Sequence, residues 1–163
     1  METLFALFEE YEDAREALDE LIDRGFPEGE MNVVVQEEIA KNYMEVSLEE
    51  VEVKATKEVG EKEIRGLDAM LGTERPIDVP GIGEVLGAGV LATAITKAAM
   101  ASIGTFADAL TDFDVDHETA RAYEAGVENE GLLFWTRVSE DRAPEAGEVL
   151  QEQHGQRITS VAG

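Results

Sequence analysis

Leu4-Phe5-Ala6-Leu7-Phe8 near the start of the chain and Leu132-Leu133-Phe134-Trp135-Thr136-Arg137-Val138 near its end decide the fold. Both are short apolar, partly aromatic runs without helical spacing, and both read as strands. Each leads into a helix and a second strand. After the first comes Tyr11 to Arg24, with Ala14, Ala17, Leu18, Leu21 and Ile22 on one face, an acidic opposite face, and Gly25 as a stop. Pro27 and Gly29 turn the chain into Met31 to Gln36, centred on Val33-Val34-Val35. After the second comes a helix from Arg142 to Gln153, closed by Gly155, and a last strand from Arg157 to Val161.

The two units repeat each other. Laying Leu4 on Leu132 places Leu7 on Trp135, Leu18 on Ala146, Leu21 on Val149 and Ile22 on Leu150. Two β-α-β halves sharing one four-stranded antiparallel sheet form a ferredoxin-like α+β sandwich. The expected organisation is a single domain over residues 1–163, with a first β-α-β unit at 1–36 and a second at 131–163. Between them, residues 37–130 form a long, mainly helical insertion and a linking helix. Helices cover one face of such a sheet, so its strands should alternate apolar and polar. The two central strands are instead apolar on both faces, and a second cover is required: the insertion or another subunit.

Within the insertion, Glu45 to Ala55 alternates in places and reads as a short extra strand, and Ile64 to Leu71 as an amphipathic helix. Pro76, Pro80, Gly81 and Gly83 form a stiff turn into a small-residue segment. There Gly83/Gly87, Ala88/Ala92 and Ala94/Ala98/Ser102 recur four apart, a spacing that lets two helix backbones approach closely. Thr119 to Asn129 is expected to be a helix capped by Asp116. The longest uncharged run, Val85 to Thr96, ends at Lys97. A membrane span needs about 20 apolar residues, so a buried helix is the better reading and no membrane span is expected.

Composition narrows the function classes. With 163 residues and 44% hydrophobic content the chain can bury a core without staples, even at a formal net charge of -24. Its 37 acidic residues against 13 basic ones repel phosphate, so nucleic acid is not an expected partner. The same balance fits a protein working in high salt as well as it fits an ordinary acidic cytoplasmic protein. Cysteine is absent, which excludes disulfides and thiolate chemistry. Met1-Glu2-Thr3-Leu4-Phe5 shows no basic region or cleavable apolar stretch, and the expected location is cytoplasmic.

Chemistry-bearing motifs are few. His117 and His154 are the only histidines and lack partners at ligand spacing. Asp112-x-Asp114-x-Asp116 opens like a calcium loop, but His117 and Tyr123 stand where glycine and glutamate are needed, so helix capping is favoured. Gly81-x-Gly83-x-x-x-Gly87-x-Gly89 has Leu86 where the dinucleotide fingerprint wants glycine, and no lysine follows in Walker position. Trp135, the only tryptophan, reads as core. Ser47, Ser102, Ser139 and Ser160 have no suggested histidine partner. No catalytic residue, cofactor or metal site is expected.

Several short motifs carry a family resemblance over both halves. They are Ala6-Leu7-Phe8, Tyr11-Glu12-Asp13-Ala14, Arg24-Gly25-Phe26-Pro27, Val33-Val34-Val35, Pro80-Gly81-Ile82-Gly83, and Tyr123-Glu124-Ala125-Gly126-Val127 before Gly131-Leu132-Leu133. In these the chain resembles the general stress protein 17M-like (heat-induced stress protein YflT-type) domains. Its insertion departs from the long glycine and alanine hairpins typical of that family by carrying Thr93, Thr96, Lys97 and Thr105. The resemblance implies a stress association and no catalytic residues. The expected function is a non-enzymatic, self-associating, stress-related protein, a homo-oligomer through the second sheet face or the small-residue segment. The alternative is a small-ligand-binding module with an apolar pocket near Trp135, between sheet and insertion. An enzyme using Asp112, Asp114 and Asp116 is the third reading.

Overall fold

The computed structural model describes residues 1–43, 66–72, 74–79, 81–100 and 105–162. The first unit runs β1 (Glu2–Phe8), α1 (Tyr11–Asp23), a single 3-10 turn and β2 (Met31–Gln36). Glu12 and Asp13 in the first turn of α1 suit the positive end of the helix dipole. At the other end Gly25 takes the left-handed conformation at φ 89. Its N–H bonds to the Ile22 carbonyl and that of Phe26 to the Leu21 carbonyl, both at 3.0 Å, satisfying carbonyls the helix leaves over. The second unit runs β5 (Leu132–Val138), α7 (Ala143–Glu152) and β6 (Gln156–Ala162). Arg142 joins the units: its guanidinium lies 3.9 Å from the Phe26 ring centre and donates to the Arg24 carbonyl at 2.8 Å.

The four strands of these units lie in the order β2-β5-β1-β6, with every neighbouring pair antiparallel. The sheet is larger than four strands, however. β3 (Ile77–Val79) and β4 (Gly83–Ala88) form a hairpin that adds to the outer edge of β2, giving six strands in the order β3-β4-β2-β5-β1-β6. This corrects the helical reading of Gly83, Gly87 and Ala88. Strand alternation sends Val85 to one side of the sheet and Leu86 and Ala88 to the other, so both sides of β4 are used. Helix begins only after Gly89, as α4 (Val90–Met100).

The other helices are α2, whose described part is 37–43, α3 (Leu67–Gly72), α5 (Phe106–Thr111) and α6 (His117–Glu128). Asp116 caps α6 as expected, accepting the Thr119 N–H at 2.9 Å. That bond and the Thr119 hydroxyl hold its carboxyl below the usual range. The strand expected at Glu45–Ala55 lies outside the described residues, as do Pro80 and Ser102.

Both faces of the central strands are buried, by helices of one chain. Leu4, Ala6, Phe8, Val33, Val35 and Phe134 pack with α1, α3 and α7. On the other face Phe5, Leu7, Val34, Leu133 and Trp135 pack with Ile95 of α4, Phe106 and Leu110 of α5, and Tyr123 and Val127 of α6. The second cover demanded by the doubly apolar strands is therefore the insertion. Among the described residues no helix is long and apolar enough to cross a membrane.

Candidate functional site

Side chains alternate along a strand, so Leu133, Trp135 and Arg137 of β5 all face the insertion. Leu133 and Trp135 are fully buried, while Arg137, near the strand end, is half-buried. Antiparallel pairing sets Phe5 of β1 opposite Trp135 and Thr3 opposite Arg137, and Val161 of β6 beside Thr3. Phe5 stacks between two rings: Trp135 at 5.4 Å and 22°, and Tyr123 of α6 at 5.9 Å and 21°. The Tyr123 hydroxyl donates to the Arg157 carbonyl at the irregularity in β6. Burial pushes its phenol up to about 12.

Two pieces of the insertion roof this floor. One is the start of α4, which β2 holds: the Asn32 carboxamide oxygen accepts the N–H groups of Leu91 at 2.9 Å and Ala92 at 3.0 Å. The other is the tight turn Asp112-Phe113-Asp114 between α5 and α6, with Phe113 N–H on the Leu110 carbonyl, Asp114 N–H on the Thr111 carbonyl, and Asp114 at φ 67. Glu124 of α6 accepts the Ala107 N–H at 2.8 Å and so fixes the start of α5.

Between floor and roof lies a cavity of about 270 Å³ bounded by Thr3, Phe5, Leu91, Asp112, Phe113, Asp114, Trp135, Arg137 and Val161. A second recess of about 250 Å³, reaching Glu30, Asn32 and Val90, shares Leu91 and Arg137 with it. Arg137 thus stands at the junction of the two.

Two donors on this face of β5, Trp135 Nε1 and Arg137 Nε, are buried and have no hydrogen-bond partner among the described residues. A buried donor left unpaired costs about 1–3 kcal/mol. Arg137 is also absent from the ion pairs among the described residues, which use Arg15, Arg24, Lys41, Arg142 and His154. In so acidic a chain, a half-buried guanidinium bridged to no acid among the described residues is conspicuous.

The larger cavity, about 460 Å³ at the other end of β1, differs in this respect. It is bounded by Glu9, Glu10, Tyr11, Tyr43 and Glu130, and its buried polar group is satisfied. Tyr11 donates to Asp68 at 2.6 Å, Arg15 pairs with the same carboxylate at 3.2 Å, and Tyr43 stacks on Tyr11 at 4.9 Å. Burial and the Asp68 bond push the Tyr11 phenol up.

The histidines take no part in either cavity. His117 is exposed at the first residue of α6, and His154 Nδ1 lies 3.4 Å from Asp13 at the end of α7. Ser160 donates to Glu2 at 3.0 Å, away from both histidines in the hydrogen-bond pattern. Ser47 and Ser102 lie outside the described residues. Among the described residues no three histidine or acidic groups gather as a metal site. The Asp112-x-Asp114-x-Asp116 run is split by the fold: Asp116 caps α6, while Asp112 and Asp114 edge the cleft. Trp135 belongs to the core and to the cleft wall at once. Arg137 carried a signal that sequence reading passed over, as the one charge in a buried strand, two residues from the tryptophan and so on its face. No protein-family model, curated protein or solved structure matches this chain.

Proposed function

We propose that this chain is a non-enzymatic small-molecule-binding protein, with its ligand held in the cleft between sheet and insertion beside Trp135. The scaffold on this reading is a ferredoxin-like split β-α-β sandwich. The order β2-β5-β1-β6 and the two β-α-β crossovers support it, and β3 and β4 extend its edge. The observation that carries the functional reading is Arg137: a cation half-buried at the wall of a preformed cavity and unpaired among the described residues. A preformed recess that combines apolar walls with a few polar groups is the usual mark of a ligand site.

Trp135 is the sole tryptophan, so its fluorescence reports on this cleft alone. Titration of a metabolite panel should give a saturable change in emission and a matching rise in melting temperature for at least one class of compound. Silence across the panel, with no melting shift, removes the reading. The resemblance to stress-protein domains supports a stress-related cytoplasmic role, and immunoblots of source cells should show the protein rising after heat or osmotic shock. A constant level would count against it.

Self-association is the second reading. Val90, 79% exposed at the start of α4, favours it, and Ala94, also exposed, lies one turn further on. Light scattering in native salt distinguishes a dimer or larger assembly from a single 17.8 kDa chain.

A further inference from the structure

We infer that the ligand of this cleft is a small zwitterion of the amino-acid type, an inference that rests on the cleft being a binding site. The cavity holds separated charges of both signs. Arg137 lies on its floor and Asp112 and Asp114 at its roof, and Arg137 is bridged to neither. Neither aspartate side chain has a hydrogen bond or ion pair among the described residues. Between the two poles lie the partly exposed apolar side chains of Leu91 and Phe113.

Each simpler ligand class leaves one pole unanswered. An anion would satisfy Arg137, but it would pass two carboxylates and enter against the field of a chain with net charge -24. A cation would suit the aspartates and aromatic walls and leave the guanidinium facing it. A zwitterion has no net charge, so the long-range field neither gathers nor expels it. Its carboxylate accepts from the half-buried Arg137 guanidinium, and its ammonium faces Asp112 and Asp114. A cavity of about 270 Å³ is small for a ligand site and suits a molecule of amino-acid size.

The test uses Trp135 emission in the intact protein with three probes of one carbon frame. Leucine carries both charges, 4-methylpentanoate lacks the ammonium, and 3-methylbutylamine lacks the carboxylate. Leucine should bind, with both single-charge analogues weaker by roughly ten- to hundredfold, the worth of a charged hydrogen bond. Arg137→Gln should make leucine and the amine equivalent. Asp112→Asn with Asp114→Asn should make leucine and 4-methylpentanoate equivalent. Circular dichroism melting checks that the variants fold, and the wild-type series decides the matter if they do not. If an analogue binds as well as leucine, or only other panel compounds bind, the zwitterion falls and the cleft stands. If nothing in the panel changes emission or melting, both fall.

Discussion

Thr136 shows how a single hydroxyl can be read as stored instability. It is fully buried in β5 between Leu4 and Met31, on the face opposite Trp135, and its Oγ1 has no partner among the described residues. Valine keeps the shape and removes the unsatisfied oxygen, so Thr136→Val should raise stability by about 1 kcal/mol; an unchanged or lower denaturation midpoint would show that the hydroxyl is satisfied in solution. Tyr123 gives a residue-level effect with a defined pH window. Its phenol is held up to about 12 by burial, while an unfolded tyrosine titrates near 10. The folded state therefore keeps a proton that the unfolded state releases. Stability is intact below about pH 10 and falls by roughly 2 kcal/mol as pH rises to about 12, and Tyr11 acts in the same direction. Alkaline unfolding curves should show this loss, and Tyr123→Phe, with no proton to release, should reduce it to the part due to Tyr11 while lowering stability near neutrality.

At the scale of elements, legibility depended on how much side chain each segment carries. β1, β2 and β5 were readable because Leu4 to Phe8, Val33 to Val35 and Leu132 to Trp135 declare burial on both faces. α1 was readable from its apolar stripe and Gly25. β4 was not, because in Gly83-Glu84-Val85-Leu86-Gly87-Ala88 glycine and alanine erase the pattern of period two, while a four-residue spacing mimics a helix. What decides it is the open edge of β2, a tertiary fact. The cleft was legible only as a place near Trp135, since its roof comes from Leu91 and Phe113, remote in sequence from the floor they cover. The junction that brings α4 over that floor is Gly89, at φ 105, where an added Cβ would lie 2.4 Å from the Met31 carbonyl oxygen. Backbone there cannot retreat without breaking the Asn32 cap on Leu91 and Ala92. Gly89→Ala should thus cost about 3 kcal/mol, from the strained backbone and the lost cap together. Urea denaturation measures it, and a loss under 1 kcal/mol would mean that the β4–α4 junction relaxes freely.

Across the whole molecule the governing quantity is charge. Even if every one of the 13 basic residues paired with an acid, 24 of the 37 acids would remain, since 37 less 13 is 24. Pairing among the described residues relieves little of this. Arg24–Glu20, Lys41–Glu37 and Arg142–Glu145 are partly exposed pairs within single helical turns, of a kind that contributes little. The fold must then hold against its own repulsion, which falls as the screening length shrinks from about 10 Å at 0.1 M salt to about 3 Å at 1 M. Melting temperature should rise across that range of KCl. Sucrose raises stability through exclusion from the surface and leaves charges unscreened, so it separates the two causes. Changing the exposed Glu9, Glu128, Glu140 and Glu148 together to glutamine should raise stability in low salt and reduce the gain from KCl, leaving the sucrose response as it was. A KCl response that is flat in the parent chain, or unaltered by the four substitutions, would show that the acidic surface is not what limits this fold.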